Sequence, residues 1–179
     1  MNSPSSRLLT VEELTIRFPL GGETVTAVDG ISFHISRGET LGLVGESGSG
    51  KTITAQAIPR IIPSPGRIDG GRVLLDGTDL TGLSERQLRP VRGRRIGMIF
   101  QEPMSSLNPT MTIGAQVAET LQLHTGLKGS EIRDHARTML ERVRLPDPGS
   151  MMTRYPHQLS GGMQQRAMIA MALACDPDL

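Results

Sequence analysis

Two patterns of apolar residues divide the chain into a strand-forming half and a helix-forming half. Residues 8–18 and 25–35 carry apolar side chains at the short intervals typical of β-strands, and Arg72–Leu75 continues this pattern before an Asp-Gly turn. Two shorter runs, Thr40–Val44 and Ile96–Phe100, are apolar almost throughout. Such runs are typical of strands buried on both faces of a parallel sheet, so we expect both in the interior of the fold.

The second half changes to spacings of three and four residues, which predict amphipathic helices. Thr112, Ser130 and Ser160 each precede a periodic segment and are residue types that favour helix N-caps. Shorter helices are expected at residues 53–58 and at Ser84–Leu88. The periodic apolar positions of the first two long helices are Val117, Leu121, Ile132, Ala136, Met139, Leu140 and Val143.

Composition narrows the class of protein without identifying it. The formal net charge of +1 gives no indication of a nucleic-acid-binding tail. With 3 Phe, 1 Tyr and no Trp, the core must be aliphatic, and a single cysteine excludes an internal disulfide. No apolar run approaches the about 18 residues of a membrane-spanning helix, so we expect any membrane association to be peripheral.

A glycine-rich segment between the expected strand at residues 40–44 and the expected helix at 53–58 matches G-x-x-x-x-G-K-[ST], the phosphate-binding loop of nucleoside-triphosphate enzymes. Glycines let backbone N–H groups approach phosphate oxygens, a lysine can reach the β- and γ-phosphates, and a threonine hydroxyl can coordinate Mg²⁺. The alternative, a surface turn with a chance lysine, leaves the flanking strand and helix unexplained. The residues of this expected site are Gly45, Glu46, Ser47, Gly48, Ser49, Gly50, Lys51 and Thr52.

A second candidate anion site lies at the start of the last expected helix. Ser160 is the expected N-cap, and Gly161 and Gly162 leave backbone N–H groups uncovered at the positive end of the helix dipole. Taken alone, these residues are explained equally well by an ordinary Ser-Gly-Gly turn into a helix.

Residues 159–166, Leu-Ser-Gly-Gly-Met-Gln-Gln-Arg, resemble the LSGGQ signature of ATP-binding cassette (ABC) proteins, with Met163 in place of the usual glutamine. The phosphate loop, Gln101 and the signature also follow one another in the order of that family. The resemblance implies an α/β fold of the P-loop NTPase class, namely an ABC nucleotide-binding domain that is incomplete at its C-terminus. Such a domain has a parallel-sheet core, an antiparallel β-subdomain and an inserted helical subdomain. Over residues 7–179 it implies three parts. These are a β-subdomain with the phosphate-loop core at residues 7–111, a helical subdomain at residues 112–157, and the signature motif with its helix at residues 158–179.

Three longer segments resemble the ATPase subunits of oligopeptide, dipeptide and nickel importers: Met98–Pro109, Tyr155–Met163 and Ala172–Pro177. The resemblance implies that the complete protein binds ATP and Mg²⁺ and pairs with a second ABC ATPase subunit. It implies that hydrolysis drives import through two transmembrane permease subunits, with a substrate-binding protein as an indirect partner. It also implies a peripheral position on the cytoplasmic face of the membrane and no nucleic-acid partner.

The family's motifs assign roles to individual residues. Gln101 is expected to coordinate Mg²⁺ and hold the attacking water, and Thr52 is expected to coordinate the same ion. Phe18 falls where the family stacks an aromatic ring on adenine, although a packing role stays open for it. Contacts with a nucleotide held by the partner subunit are expected from Ser160, Gly161, Gly162 and Gln164.

In the family a Walker B strand with the catalytic glutamate follows the signature helix, whereas this sequence ends at Leu179. Asp176 and Asp178 cannot replace that motif, because no apolar strand precedes them and Pro177 separates them. We expect weak or no hydrolysis by this chain alone, since loss of a general base costs about 10²–10⁴-fold in rate. We also expect poor stability, because interior strands would lack neighbours. Two other interpretations stay open: a catalytically inactive nucleotide-binding fragment, and a soluble ABC ATPase that is not part of a transporter.

Overall fold

Two long antiparallel strands, β1 (Arg7–Leu20) and β2 (Glu23–Ser36), occupy the first part of the chain, as the apolar pattern predicted. The computed structural model describes residues 7–102 and 106–179, which divide into the units Met1–Leu88 and Arg89–Leu179. Strand β3 (Arg67–Leu75) pairs with the other edge of β1, and β4 (Thr78–Asp79) pairs with β3. Among the described residues this gives one antiparallel sheet of order β2-β1-β3-β4.

Strand β1 is central in this sheet and supplies much of the first unit's core. Its buried residues alternate correctly at Leu9 and Val11 and again at Leu14 and Ile16, but the alternation slips by one position between the two pairs. A β-bulge at Glu13, which has a φ of 48°, takes up the extra residue. Both halves of β1 therefore point their apolar side chains at the same core. The unit is completed by helices α1 (Lys51–Ala57) and α2 (Glu85–Leu88).

The two predicted interior strands, Thr40–Val44 and Ile96–Phe100, are not formed. Within the described chain neither segment joins a sheet, and Ile96 makes only an isolated bridge to Arg92. Val44 is 93% exposed and Phe100 is 43% exposed. An apolar run becomes a buried parallel strand only when other strands lie beside it and helices cover both faces, and composition alone supplies neither.

The last residue of the chain makes the hydrogen bonds of a parallel strand. The Leu179 N–H donates to the Arg95 C=O at 3.1 Å, and the Gly97 N–H donates to the Leu179 C=O at 2.8 Å. This is the slanted pattern found between adjacent parallel strands. The Asp178 carboxylate lies 2.7 Å from the Arg95 guanidinium, so the aspartate before Leu179 takes part in an ion pair.

The second unit is helical, and the spacing predicted its three long helices, which begin after Thr112, near Ser130 and after Ser160. In chain order its elements are α3 (Ile113–His124), α4 (Ser130–Arg142), the unpredicted short helix α5 (Pro148–Met151), an unpredicted 3₁₀ turn (Pro156–Gln158) and α6 (Gly161–Leu173). No helix in the described parts of the chain is long and apolar enough to cross a membrane. The core of the second unit is formed by Leu107, Ile113, Val117, Leu121, Ala136, Met139, Leu140, Leu145, Met151, Leu159, Ala167, Ala170 and Ala174.

The three predicted N-caps differ in outcome. Thr112 caps α3, because its hydroxyl accepts a hydrogen bond from the Ala115 N–H at 3.3 Å. The prediction for Ser130 is wrong by one position, since Ser130 is the first helical residue and Gly129, at a φ of 55°, precedes it. Ser160 occupies the N-cap position of α6, although within the described chain its hydroxyl makes no capping bond.

Candidate functional site

The predicted phosphate loop is exposed in the first unit and leads directly into α1, which begins at Lys51. The Ser49 N–H donates to the Glu46 C=O at 3.2 Å, which closes a tight turn. Gly50 precedes the helix with a φ of 85°, and its C=O accepts the first helical bond from the Thr54 N–H at 2.8 Å. The loop and the helix start therefore form from adjacent residues.

Two glycines of the loop lie where a side chain would make close contacts, with backbone at Gly50 and with a side chain at Gly45. A Cβ atom at Gly50 would lie 2.6 Å from the Ala27 carbonyl oxygen of β2, so the helix start packs directly on the strand backbone. A Cβ atom at Gly45 would lie 2.7 Å from the Ser49 hydroxyl oxygen. Side chains at these positions would fill the space in which the loop turns, as expected for a backbone that must approach phosphate oxygens.

The Lys51 ammonium group lies among the oxygen atoms of its own loop. It donates to the carbonyl oxygens of Gly45 at 2.8 Å and Glu46 at 2.6 Å, and to the Ser49 hydroxyl at 3.2 Å. These three partners are neutral, so an anionic phosphate oxygen would attract the ammonium group more strongly than they do. The donor set of the loop therefore fits a bound phosphate.

Thr52 follows in the first turn of α1 with an exposed side chain. A hydroxyl oxygen is a ligand that Mg²⁺ accepts beside phosphate oxygens. The residue type and its exposure therefore fit a Mg²⁺ ion bound together with a nucleotide.

Phe18, the candidate adenine-stacking residue, lies near the end of β1 and is partly buried. A Cβ atom at Gly66 would lie 2.5 Å from the Phe18 ring and 2.7 Å from the Ile62 side chain. The ring therefore packs directly against the backbone of Gly66, which supports the packing role. Adenine stacking stays a prediction.

Gln101 belongs to the second unit and lies in an exposed bend rather than at the end of a buried strand. Residues 103–105 of the importer-like segment Met98–Pro109 are outside the described residues. The expected roles of Gln101 toward Mg²⁺ and water stay predictions.

The signature residues Ser160, Gly161 and Gly162 are exposed at the start of α6. The Ser160 C=O accepts hydrogen bonds from the N–H groups of Met163 and Gln164, each at 2.9 Å, and this begins the helix. Within the described chain, Cβ atoms at either glycine would meet nothing within 4 Å. The helix start is therefore open to a ligand, as an anion site requires.

Gln164 differs from its expected place at a nucleotide surface, because its side chain is buried and the residue is 7% exposed. Its amide nitrogen donates to the carbonyl oxygens of Pro156 at 2.9 Å and Leu159 at 3.3 Å. Gln164 thus supports the turn that precedes the signature. Its helical spacing from the buried Ala167 and Met168 is the sequence signal that could have indicated burial.

A cavity of about 830 Å³ in the second unit is lined by Arg89, Arg92, Arg94 and His124, among others. Burial, and to a smaller degree the charge of Arg94, lowers the pKa of His124. The imidazole therefore stays neutral to a lower pH than usual, and the positive charge of this cavity comes from the arginines.

Comparison with known sequences decides the family. Residues 28–179 match the sequence profile of the family described as "ABC transporter". The chain belongs to the ABC transporter family. The fold agrees with this, because the ATP-binding cassette MJ0796, solved as a dimer in a post-hydrolysis state with ADP and Pi, superposes with a TM-score of 0.83. That similarity covers 94% of this chain and 70% of the other at 29% identity.

Relatives within the ABC transporter family include peptide transport proteins, as the importer-like segments indicated. The chain is 49% identical over 175 residues to the oligopeptide transport ATP-binding protein OppD of Bacillus subtilis, which covers 97% of this chain. It is 45% identical over 174 residues to the dipeptide transport ATP-binding protein DppD of the same organism, again over 97% of the chain. The chain spans about half the length of these relatives, 49% and 52% respectively.

Proposed function

We propose that this chain is the nucleotide-binding part of an ABC import subunit that binds ATP with Mg²⁺ and uses hydrolysis to drive uptake of oligopeptides or dipeptides. The observation that carries the proposal is the phosphate loop, in which Lys51 is bonded only to neutral loop oxygens among its described partners. The identity to the oligopeptide and dipeptide transport proteins supports the choice of substrate class.

In this proposal each element of the phosphate loop has a distinct task. The backbone N–H groups of the loop and the N-terminus of α1 bind the phosphates, because both present positive partial charge. Lys51 exchanges its loop oxygens for phosphate oxygens when the nucleotide binds. Thr52 and Gln101 would hold Mg²⁺, which neutralises phosphate charge and orients the phosphate groups.

The open start of α6 supports a role in a two-subunit nucleotide site. Gly161 and Gly162 would face the nucleotide bound to the phosphate loop of a second ABC ATPase subunit. The dimeric solved structure of MJ0796 supports the pairing of two such subunits. Two permease subunits would place the assembly at the cytoplasmic face of the membrane, as the relatives' transport names support.

The proposal is tested with Lys51→Ala, and Lys128→Ala is the matched control because Lys128 is an exposed lysine outside the loop. Hydrogen bonds to charged groups contribute about 1.5–3 kcal/mol, so Lys51→Ala should weaken ATP binding about 10- to 150-fold. Binding is measured by fluorescence titration of the purified protein as its cell makes it. Uptake of a labelled tripeptide is measured in cells that carry each variant.

Lys128→Ala should keep both ATP affinity and peptide uptake. Unchanged ATP affinity in Lys51→Ala would refute the nucleotide site. Weakened ATP binding with normal peptide uptake would support the nucleotide site but refute peptide import.

A further inference from the structure

The buried side chain of Gln164, near the start of α6, is held by the donor end of its amide alone. The amide nitrogen bonds to the Pro156 and Leu159 carbonyl oxygens. The amide oxygen is buried and has no hydrogen-bond partner in the described parts of the chain. An unsatisfied buried oxygen lowers stability, and an apolar side chain of similar length would fill the same space without that cost. What the amide adds over such a side chain is its pair of donated hydrogen bonds.

Gln164 is bonded to both peptide groups that flank Ser160. Its side chain donates to the Leu159 C=O at 3.3 Å, and its backbone N–H donates to the Ser160 C=O at 2.9 Å. In a planar trans peptide group the C=O and the N–H point in opposite directions. Because both carbonyl groups are turned toward Gln164, the N–H groups of Ser160 and Gly161 are directed away from it.

The turn that Gln164 holds connects a buried residue to an exposed helix start. Leu159 belongs to the core of the second unit, whereas Ser160 and Gly161 are exposed. The Leu159 N–H also donates to the Pro156 C=O at 3.0 Å, so this carbonyl group accepts two hydrogen bonds. The turn is therefore anchored on its core side, and Gln164 fixes the direction of the backbone on its exposed side.

We infer that Gln164 is a positioning residue of the signature, which orients the N–H groups of Ser160 and Gly161 toward a phosphate group without contacting the nucleotide itself. The inference rests on the proposed function for the identity of this anion, the nucleotide bound to a second subunit. Donors that already point toward a ligand bind it more tightly, because no ordering cost is added on binding. Loss of the two donated bonds should therefore weaken the pairing of two subunits around ATP and leave the phosphate loop unaffected.

The test uses Gln164→Glu, which keeps the shape of the side chain but replaces the donor nitrogen by a carboxylate oxygen. Burial and two facing carbonyl oxygens disfavour the charged form, so the pKa of the introduced carboxyl group should lie above the usual glutamate value. Below that pKa the protonated carboxyl group has one O–H donor, which can bond to one of the two carbonyl oxygens again. The donor is therefore absent at high pH and restored at low pH.

Two further variants separate this effect from packing and from charge. Gln164→Met has a similar length but no donor at any pH. Gln122→Glu is the matched control, because Gln122 is an exposed glutamine of α3 and undergoes the same change of charge. Each variant is compared with the unsubstituted protein at the same pH, since histidines elsewhere in the chain also change charge between pH 6 and pH 8.

Pairing is measured by analytical ultracentrifugation of the purified protein as its cell makes it, with the non-hydrolysable ATP analogue AMP-PNP at pH 8 and pH 6. At pH 8, Gln164→Glu and Gln164→Met should each weaken pairing about tenfold or more, because buried carbonyl groups lose their donor. At pH 6 the deficit of Gln164→Glu should shrink by about threefold or more, whereas that of Gln164→Met should persist. Gln122→Glu should pair normally at both pH values. The affinity of the separate subunits for AMP-PNP should stay unchanged in all three variants.

A deficit of Gln164→Glu that is equal at both pH values would show that only packing was lost and would overturn the donor role. Unchanged pairing in both Gln164 variants, or an equal loss of AMP-PNP affinity in the separate subunits, would refute the positioning role.

If the unsubstituted protein does not pair with AMP-PNP, the two-subunit part of the proposed function fails. Hydrogen–deuterium exchange then decides the inference separately. Exchange in residues 158–164 should be about tenfold faster in Gln164→Glu than in the unsubstituted protein at pH 8, because the turn has lost its donor. Equal exchange rates would show that Gln164 does not hold the turn.

Discussion

Replacing Gly50 by alanine should destabilise the protein more than the same change at Gly48, although both glycines have nearly the same left-handed backbone, with φ of 85° and 83°. An L-residue in this region costs about 1–2 kcal/mol at either position. At Gly50 the new Cβ would also lie 2.6 Å from the Ala27 carbonyl oxygen and 3.2 Å from a Val28 methyl group. At Gly48 a Cβ would meet nothing within 4 Å in the described chain.

The extra contact determines the size of the difference. Forcing atoms into a packed site costs about 1–3 kcal/mol, so Gly50→Ala should lose about 2–5 kcal/mol against about 1–2 kcal/mol for Gly48→Ala. Urea unfolding followed by circular dichroism measures both free energies. With slopes of about 1–3 kcal/mol per molar urea, the two midpoints should differ by about 1 M. Equal losses of stability would refute the conclusion that the β2 backbone restricts the start of α1.

Two further predictions concern the helical unit. Leu121→Ala should lower the free energy of unfolding by about 2–5 kcal/mol, because Leu121 is fully buried. Leu123→Ala should change it by about 0.5 kcal/mol or less, because Leu123 is 71% exposed. Equal effects of the two variants in urea unfolding would contradict the packing of α3. Burial raises the pKa of the Cys175 thiol, with a smaller opposing effect of Arg94, and the thiolate is the reactive form. Alkylation by iodoacetamide at pH 7.5, followed by mass spectrometry, should therefore be slower than in the urea-unfolded chain and should speed up as pH rises; equal rates would show that the native thiol is not shielded.

Part of the site was predictable because its geometry arises from adjacent residues. The turn at Ser49, the left-handed Gly50 and the helix that starts at Lys51 all form within eight consecutive positions of the glycine-rich motif. The open helix start after Ser160 is equally local. Residue type and spacing are sufficient for such features, since the interacting groups are already close in the chain.

The roles of the buried glutamines could not be predicted in the same way. Gln116 and Gln164 are both buried, although exposure is the ordinary expectation for a polar residue on a helix. Each is buried because backbone carbonyl groups of a preceding segment require a donor at that position. The spacing indicates which helix face a residue occupies, but it does not indicate which backbone groups that face will meet.

The sequence by itself determined the long hairpin, the helices of the second unit, the phosphate loop and the family. The sequence also showed that Thr40–Val44 and Ile96–Phe100 are apolar, but whether these runs form strands depended on tertiary structure. A hairpin or a helix satisfies its backbone groups within one continuous stretch, so local pattern is enough to form it. A parallel strand takes its hydrogen bonds from segments distant in the chain, and the Ile96 region shows this, since its strand-like bonds come from Leu179. Where such neighbours are not beside it, the same apolar run stays exposed, as Val44 does.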